Sequence, residues 1–323
     1  MASQLQLSAA NLLKSSLQPQ TQKLYTHHWQ VFTTFLSQHL GKQITLPVSS
    51  HTLTLFLTHL HQKQFKHSTI LTYTSAISFY HKLLGYTDPS SHYMVNRLLQ
   101  GIKKNSPPPS HHLPITIPIL TKIINNIPFT TPSNYDRSLY KALFLIMYHA
   151  CLRISDVAVS QTQHVLQLHN LYYSTFPDGS SGYTINFNSY KHSDGSTTRI
   201  SITPSNTPLC PVTALRQYLQ DRPSGEGPIF ITISKLPITR LQVVSFLKKC
   251  LQQCDLPPHK YSTHAFRTGR CTDLANSKVP DSIIKKLGRW KSDAYHTYVR
   301  PTNITVTNPS DPMSSLPLQP GLL

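Results

Sequence analysis

Tyr261 to Arg300 reads YSTHAFRTGRCTDLANSKVPDSIIKKLGRWKSDAYHTYVR. Within it stand a His, an Arg three residues on, a Trp after Leu-Gly-Arg, and a Tyr just before Val-Arg. In the string HAFR, His264 and Arg267 are spaced i and i+3, so on a helix they share one face and reach the same phosphate. Add Trp290 and Tyr298, and the stretch holds a proton acceptor, a planar cation, an indole donor and a phenol. These are parts needed to cut a phosphodiester without a metal.

Charge points to the same kind of partner. Lys and Arg total 30 against 12 Asp and Glu, a formal +18 at pH 7. An excess of that size on a chain with no basic amphipathic helix or lipidation signal favours nucleic acid over a membrane surface. No apolar run approaches the ~18 residues of a membrane span, and the opening MASQLQLSAANLLKSS lacks a signal-peptide pattern. The expectation is an intracellular protein with no membrane partner.

The acids also exclude a chemistry. Two-metal nucleases hold their ions between clustered carboxylates. Here Glu226 is the single Glu, and no Asp-x-Asp or Asp-x-Glu pair occurs. Five scattered cysteines, Cys151, Cys210, Cys250, Cys254 and Cys271, argue against a disulfide framework and are expected as thiols. Cys250 and Cys254 share a helix face but have no second ligand pair, so no metal site is assigned. The histidines, His27-His28 and His111-His112 among them, are expected mostly at the surface.

Working back toward the N-terminus, residues 165–201 change character. LYYSTF, YTINF and TTRISI are β-formers separated by the turns PDGSSG and HSDGS, which predicts a three-stranded antiparallel sheet. Helices are expected at 119–127, 137–151 and, after CPVTALRQYLQ, at SFLKKCLQQC and from Thr263 onward. NSPPPSHHL cannot be helical through its prolines and reads as a spacer. Before it, four amphipathic helices are expected: from Thr21 as a cap with Leu24, Trp29, Phe32, Phe35 and Leu36 inward; 47–64; 68–84; and 90–105, ending in Lys103-Lys104. The organisation expected is a flexible 1–20, a helical domain 21–105, a linker 106–113, a second domain 114–300 and a loose tail 301–323.

The C-terminal stretch resembles the catalytic end of tyrosine recombinases, the family of phage integrases, Xer and Cre proteins, and most closely those of DIRS-like and Crypton mobile elements. There the order is His-x-x-Arg, then Leu-Gly-His or Leu-Gly-x-Trp, then the nucleophilic Tyr. Thr21, Tyr25, Trp29 and Phe32 are similar to the opening helix of the family's N-terminal domain, although aromatics at that spacing serve a core equally well. The resemblance implies a mainly α protein with a small antiparallel sheet: a four-helix SAM-like core-binding domain followed by a mixed α/β catalytic domain.

It further implies site residues. In HACLRISDV, Arg153 matches the first catalytic box and Asp156 the acidic position that orients the arginines. Lys191, at the turn between the second and third strands, matches the β-hairpin lysine that protonates a leaving oxygen. His264, Arg267 and Trp290 complete the phosphate pocket, with Tyr298 as nucleophile. Trp290 and Tyr298 are eight residues apart, where bacterial and phage relatives often have nine, so Tyr295 stands as a rival. Lys103, Lys104 and Arg270 are assigned to DNA. The implied activity is site-specific recombination through a 3′-phosphotyrosyl intermediate, without metal, ATP or other cofactor, by a homotetramer on double-stranded DNA. Nuclear residence follows from the element type. The other classes the sequence leaves open are a domesticated DNA-binding protein without cleavage and a type IB topoisomerase.

Overall fold

The structure is a computed structural model that describes residues 2–41, 43, 45–107, 112–159, 165–187 and 197–300. The chain divides into two compact units at Ser110/His111, inside the proline-rich stretch.

The first unit is helical. It contains α1 (Ala2–Ser15), α2 (Pro19–Leu40), α3 (Ser50–Gln62), α4 (His67–Leu83) and α5 (Tyr93–Asn105). The segment 1–20, expected to be flexible, is thus largely helix; its Leu, Ala and Gln are strong helix formers and no Gly or Pro interrupts them before Pro19. Thr21 does not cap α2. That helix starts two residues earlier on Pro19, whose missing N–H costs nothing at the first helical position. Gly41, at φ +59°, closes it and donates its N–H to the Leu36 carbonyl. The Ser49 hydroxyl caps α3 by accepting from the Thr52 N–H at 3.1 Å.

Phe32, Phe35, Leu53, Phe56, Leu57, Ile70, Tyr73, Ile77, Val95 and Ile102 form the core of this unit. Leu24, expected inward, is 42% exposed, and Leu84 lies beyond the end of α4 and faces solvent. The aromatic stripe of α2 goes into packing. Trp29 lies 4.7 Å from the Tyr80 ring, and Tyr25 lies 5.5 Å from Phe79. Two histidines are not surface residues: His28 stacks on Tyr73 at 3.8 Å, and His81 is fully buried. His81 is affordable there because both nitrogens are satisfied, one by the Val48 N–H at 3.0 Å and the other by the Ile77 carbonyl at 2.8 Å.

The second unit holds α6 (Ile117–Thr130), α7 (Asn134–His149), α8 (Ile154–Val157), strands β1 (Leu171–Thr175), β2 (Ser181–Phe187) and β3 (Thr198–Ile202), then α9 (Pro211–Asp221), α10 (Arg240–Gln253), α11 (Ala265–Asn276) and α12 (Asp281–Gly288). The sheet is antiparallel in the order β1-β2-β3, with Tyr173 opposite Tyr183 and Ile185 opposite Ile200. Alternation along β2 sends Tyr183, Ile185 and Phe187 into the core. The expected mainly α fold with a small antiparallel sheet is the one observed.

The spine is α7, buried on nearly every face from Leu139 to Tyr148 and packed on α9 and α11. α11 is held by a close backbone approach. The Ile115 N–H donates to the Ala265 carbonyl at 2.9 Å, and a Cβ added to Gly269 would stand 1.8 Å from the Ile115 oxygen. Only glycine fits at that point of the TGR string. This packing sets the end of α7 beside the start of α11, and so positions the site.

Candidate active site

Three chain segments bring the site together. The first leaves α7 through Cys151, in a left-handed conformation at φ +48°, and delivers Arg153 at the mouth of α8. There the Arg153 N–H donates to Asp156 Oδ2 at 2.9 Å. The second is the start of α11, with His264 at its cap and Arg267 one turn in. The third runs from the end of α12 through Trp290 into a short 3-10 helix, Asp293–Tyr298.

Arg267 joins all three. It is 0% exposed, an extreme for so polar a side chain. Nη1 donates to the Cys151 carbonyl and Nη2 to the Gly288 carbonyl. Its guanidinium lies 3.9 Å from the Trp290 ring and 5.4 Å from the Tyr298 ring. Desolvation, then the charge of Arg153, pushes its pKa down to about 10, so it stays cationic at neutral pH. The fork explains why Arg stands here: two carbonyls on different segments need two donors at a fixed angle.

Tyr298 is half-buried. Its ring lies 5.0 Å from His264 and 4.8 Å from Trp290. The rival Tyr295 is 1% exposed and packs with Cys151, Cys271 and Ile284 in a small cluster. Tyr298 touches the same cluster from its edge and keeps part of its ring exposed near Arg267, whereas Tyr295 is buried within it with Lys285 Nζ 5.3 Å from its ring. The residues after Tyr298 are anchored by Thr272, whose hydroxyl accepts the Arg300 N–H at 3.1 Å.

The pKa of His264 is pushed down to about 4 by desolvation, then by Arg267 and Arg153. The imidazole is therefore neutral at pH 7 and able to accept a proton.

Trp290 lies over a glycine. A Cβ on Gly288 would come within 1.6 Å of the indole, which explains the Leu-Gly preceding it. Between them Arg289 adopts φ +56° and buries its side chain, pairing with Asp156 at 2.7 Å. Sequence reasoning read Asp156 as an orienting group but missed its partner.

Of the expected site residues, Arg153, Asp156, His264, Arg267, Trp290 and Tyr298 gather here. Lys191 lies outside the described residues, although Phe187, at the end of β2, packs beneath the Arg289 guanidinium at 4.0 Å. Arg270 is half-buried, its guanidinium 5.5 Å from the Tyr148 ring. Lys103 and Lys104 are exposed on the last turn of α5, in the other unit. Among the described residues no three His, Cys, Asp or Glu side chains gather to hold a metal ion, and Cys254 caps α10 rather than extending it beside Cys250. Among them, too, no helix is long and apolar enough to cross a membrane.

The fold is similar to that of DNA-bound integrases. The Tn1549 transposon integrase (aa 82-397) in complex with circular intermediate DNA matches 91% of this chain and 96% of its own, with a TM-score of 0.59 at 12% identity. A lambda integrase dimer bound to a COC' core site matches 93% of this chain and 79% of its own, with a TM-score of 0.56 at 12% identity. The integrase/recombinase xerD homolog of Selenomonas ruminantium is 24% identical over 94% of this chain and 88% of that protein. The profile of the phage integrase family matches residues 120–302, and the chain belongs to that family.

Proposed function

We propose that this protein is a site-specific DNA recombinase that cuts and rejoins double-stranded DNA through Tyr298. The observation that carries the reading is the meeting of one half-buried phenol with His264, Trp290 and Arg267 from the same C-terminal stretch, with Arg153 brought in from the other side of the sheet in sequence to act on His264 and Arg267. Ionising a phenol of pKa ~10 at pH 7 costs roughly 4 kcal/mol, so the nucleophile needs a base or a positive pocket. The neutral His264 serves as acceptor, and Arg153 and Arg267 supply the field.

In the proposed step a bond forms between the Tyr298 oxygen and phosphorus while the bond from phosphorus to the 5′ oxygen breaks. The phenolic proton passes to His264, and the leaving oxygen takes one from Lys191. The product is a 3′-phosphotyrosyl enzyme and a 5′-hydroxyl. Because the phosphoester energy is retained, a partner strand's hydroxyl reverses the step without ATP. Guanidinium groups meet the transition-state charge, the task a metal performs elsewhere.

Lys103, Lys104 and Arg270 are proposed as phosphate contacts, with assembly as a tetramer on two duplexes. Mobile-element integration, of the DIRS-like or Crypton kind and in a nucleus, is the setting we propose. The transposon integrase among the similar structures supports the mobile-element role.

The test is a covalent-trapping selection. The full chain is incubated with nicked duplexes of randomised sequence, and DNA that remains joined to protein through denaturation is recovered and sequenced. A recurring sequence joined by its 3′ end supports the reading. Retention of DNA with no denaturant-resistant linkage contradicts it.

A further inference from the structure

We infer that Arg289, held by Asp156, is the positioning residue that keeps the Arg153 turn and the Trp290–Tyr298 turn in register around the phosphate. This rests on the recombinase reading and assigns a role to a residue outside its proposed catalytic set.

The backbone raises the question first. Arg289 follows the last turn of α12 at φ +56°. The Trp290 N–H reaches back to the Lys285 carbonyl at 3.0 Å and the Arg289 N–H to Lys286 at 3.2 Å, closing a helix end of the kind that favours Gly or Asn in the left-handed position. An arginine there is strained where a glycine would be at ease. Helix termination does not select it.

The side chain supplies the reason. It is fully buried, its Nη2 meets Asp156 Oδ2 at 2.7 Å, and its guanidinium covers the Phe187 ring. The same carboxylate oxygen accepts the Arg153 N–H. One atom of Asp156 therefore ties the backbone that enters α8 to a side chain leaving α12. These partners are 133 residues apart in sequence.

The tripeptide 288–290 then carries three loads. The Gly288 carbonyl takes Arg267, the Arg289 side chain takes Asp156, and the Trp290 ring lies against Arg267 and Tyr298. If Arg289 lets go, the two halves of the phosphate site are held together by Arg267 alone, and their separation is less closely set. Misplacement by about 1 Å costs about 10²-fold in rate where reacting groups must be aligned.

Three variants of the full chain test this. Arg289→Gly keeps the turn and removes the pair. Arg289→Lys keeps the charge without the fork. Asp156→Leu with Arg289→Met removes both charges together, so neither is left buried alone, and it serves if the glycine variant fails to fold.

On a duplex recovered by the trapping selection, Arg289→Gly and the double variant are expected to bind DNA within a few-fold of the unmodified chain. Their rate of covalent joining at saturating DNA should fall about 10²-fold. Arg289→Lys should recover part of it.

A second readout is independent of cleavage. The chain has two tryptophans, so in a Trp29→Phe background the emission reports Trp290, and loss of the pair should shift it to the red and open it to collisional quenching. Normal joining with unchanged emission in the folded glycine or double variant overturns the inference. If the unmodified chain joins no DNA while the emission shifts as expected, the recombinase reading fails and the structural tie stands.

Discussion

Two histidines, one in each unit, show what separates a scaffold from a site. His81 is buried with a donor and an acceptor waiting for its two nitrogens. His264 sits among like charges, and its pKa is pushed down to about 4 by desolvation, Arg267 and Arg153. His81 thus closes the framework of the first unit. The second crowds Arg153, Arg267 and Arg289 together, with Asp156 bonded to the side chain of Arg289 and the backbone of Arg153. Crowding of this kind is unfavourable for folding alone, and is a mark of function when it faces a reactive group.

The contrast is broken most severely at Arg267. Arg267→Lys keeps a positive charge, but one ammonium cannot hold the Cys151 and Gly288 carbonyls as the fork does. Joining should slow by about 10²–10³-fold while DNA affinity changes little. Single-turnover joining and a binding titration check this; a rate near the unmodified value would mean that charge alone suffices.

Next comes pH. Beside Arg270, at the end of α7, His149 has its pKa pushed down to about 4, first by desolvation and then by that charge. In the unfolded chain an ordinary histidine titrates near 6.5. Between pH 4 and 6.5 the unfolded state therefore binds more protons, so stability rises with pH through that window and is lost on acidification. His149 should account for about 2–3 kcal/mol of that loss. Denaturant unfolding at pH 4.5 and 7 should show the slope, and His149→Gln should reduce it, with His264 contributing part of what remains.

The smallest effect sharpens the comparison from the scaffold side. His81→Leu removes the acceptor of the buried Val48 N–H and should cost about 1–3 kcal/mol in stability. It should leave the joining rate of the folded, DNA-bound protein unchanged. Thermal unfolding and single-turnover joining on the same preparation separate the two.

Much of this was legible in the chain because its signals are local. HAFR, LGRW and the final Tyr each lie within a few residues, and β2 and β3 announce themselves through alternation and the turns around them. Spacing left Tyr295 as a rival while the Tyr-Val-Arg ending favoured Tyr298, and the difference in burial between the two rings could not be read from either signal. The pairing of Asp156 with Arg289 spans the unit and leaves no local trace. Even so, a non-glycine residue after Leu-Gly at a helix end is a signal that something holds it. The burial of His28 and His81 was hidden for the same reason, since their partners Tyr73 and Val48 lie far off in sequence. Helix starts drifted by a turn or less, as at Pro19 and Ser50, because capping competes with periodicity there.

The central claim is that one phenol of the two is the nucleophile, and a side-by-side trapping of Tyr298→Phe and Tyr295→Phe tests it most directly. Tyr298→Phe should yield no protein joined to DNA and bind DNA within a few-fold of the unmodified chain, while Tyr295→Phe should still form the linkage. A linkage that persists in Tyr298→Phe and vanishes in Tyr295→Phe would contradict the account.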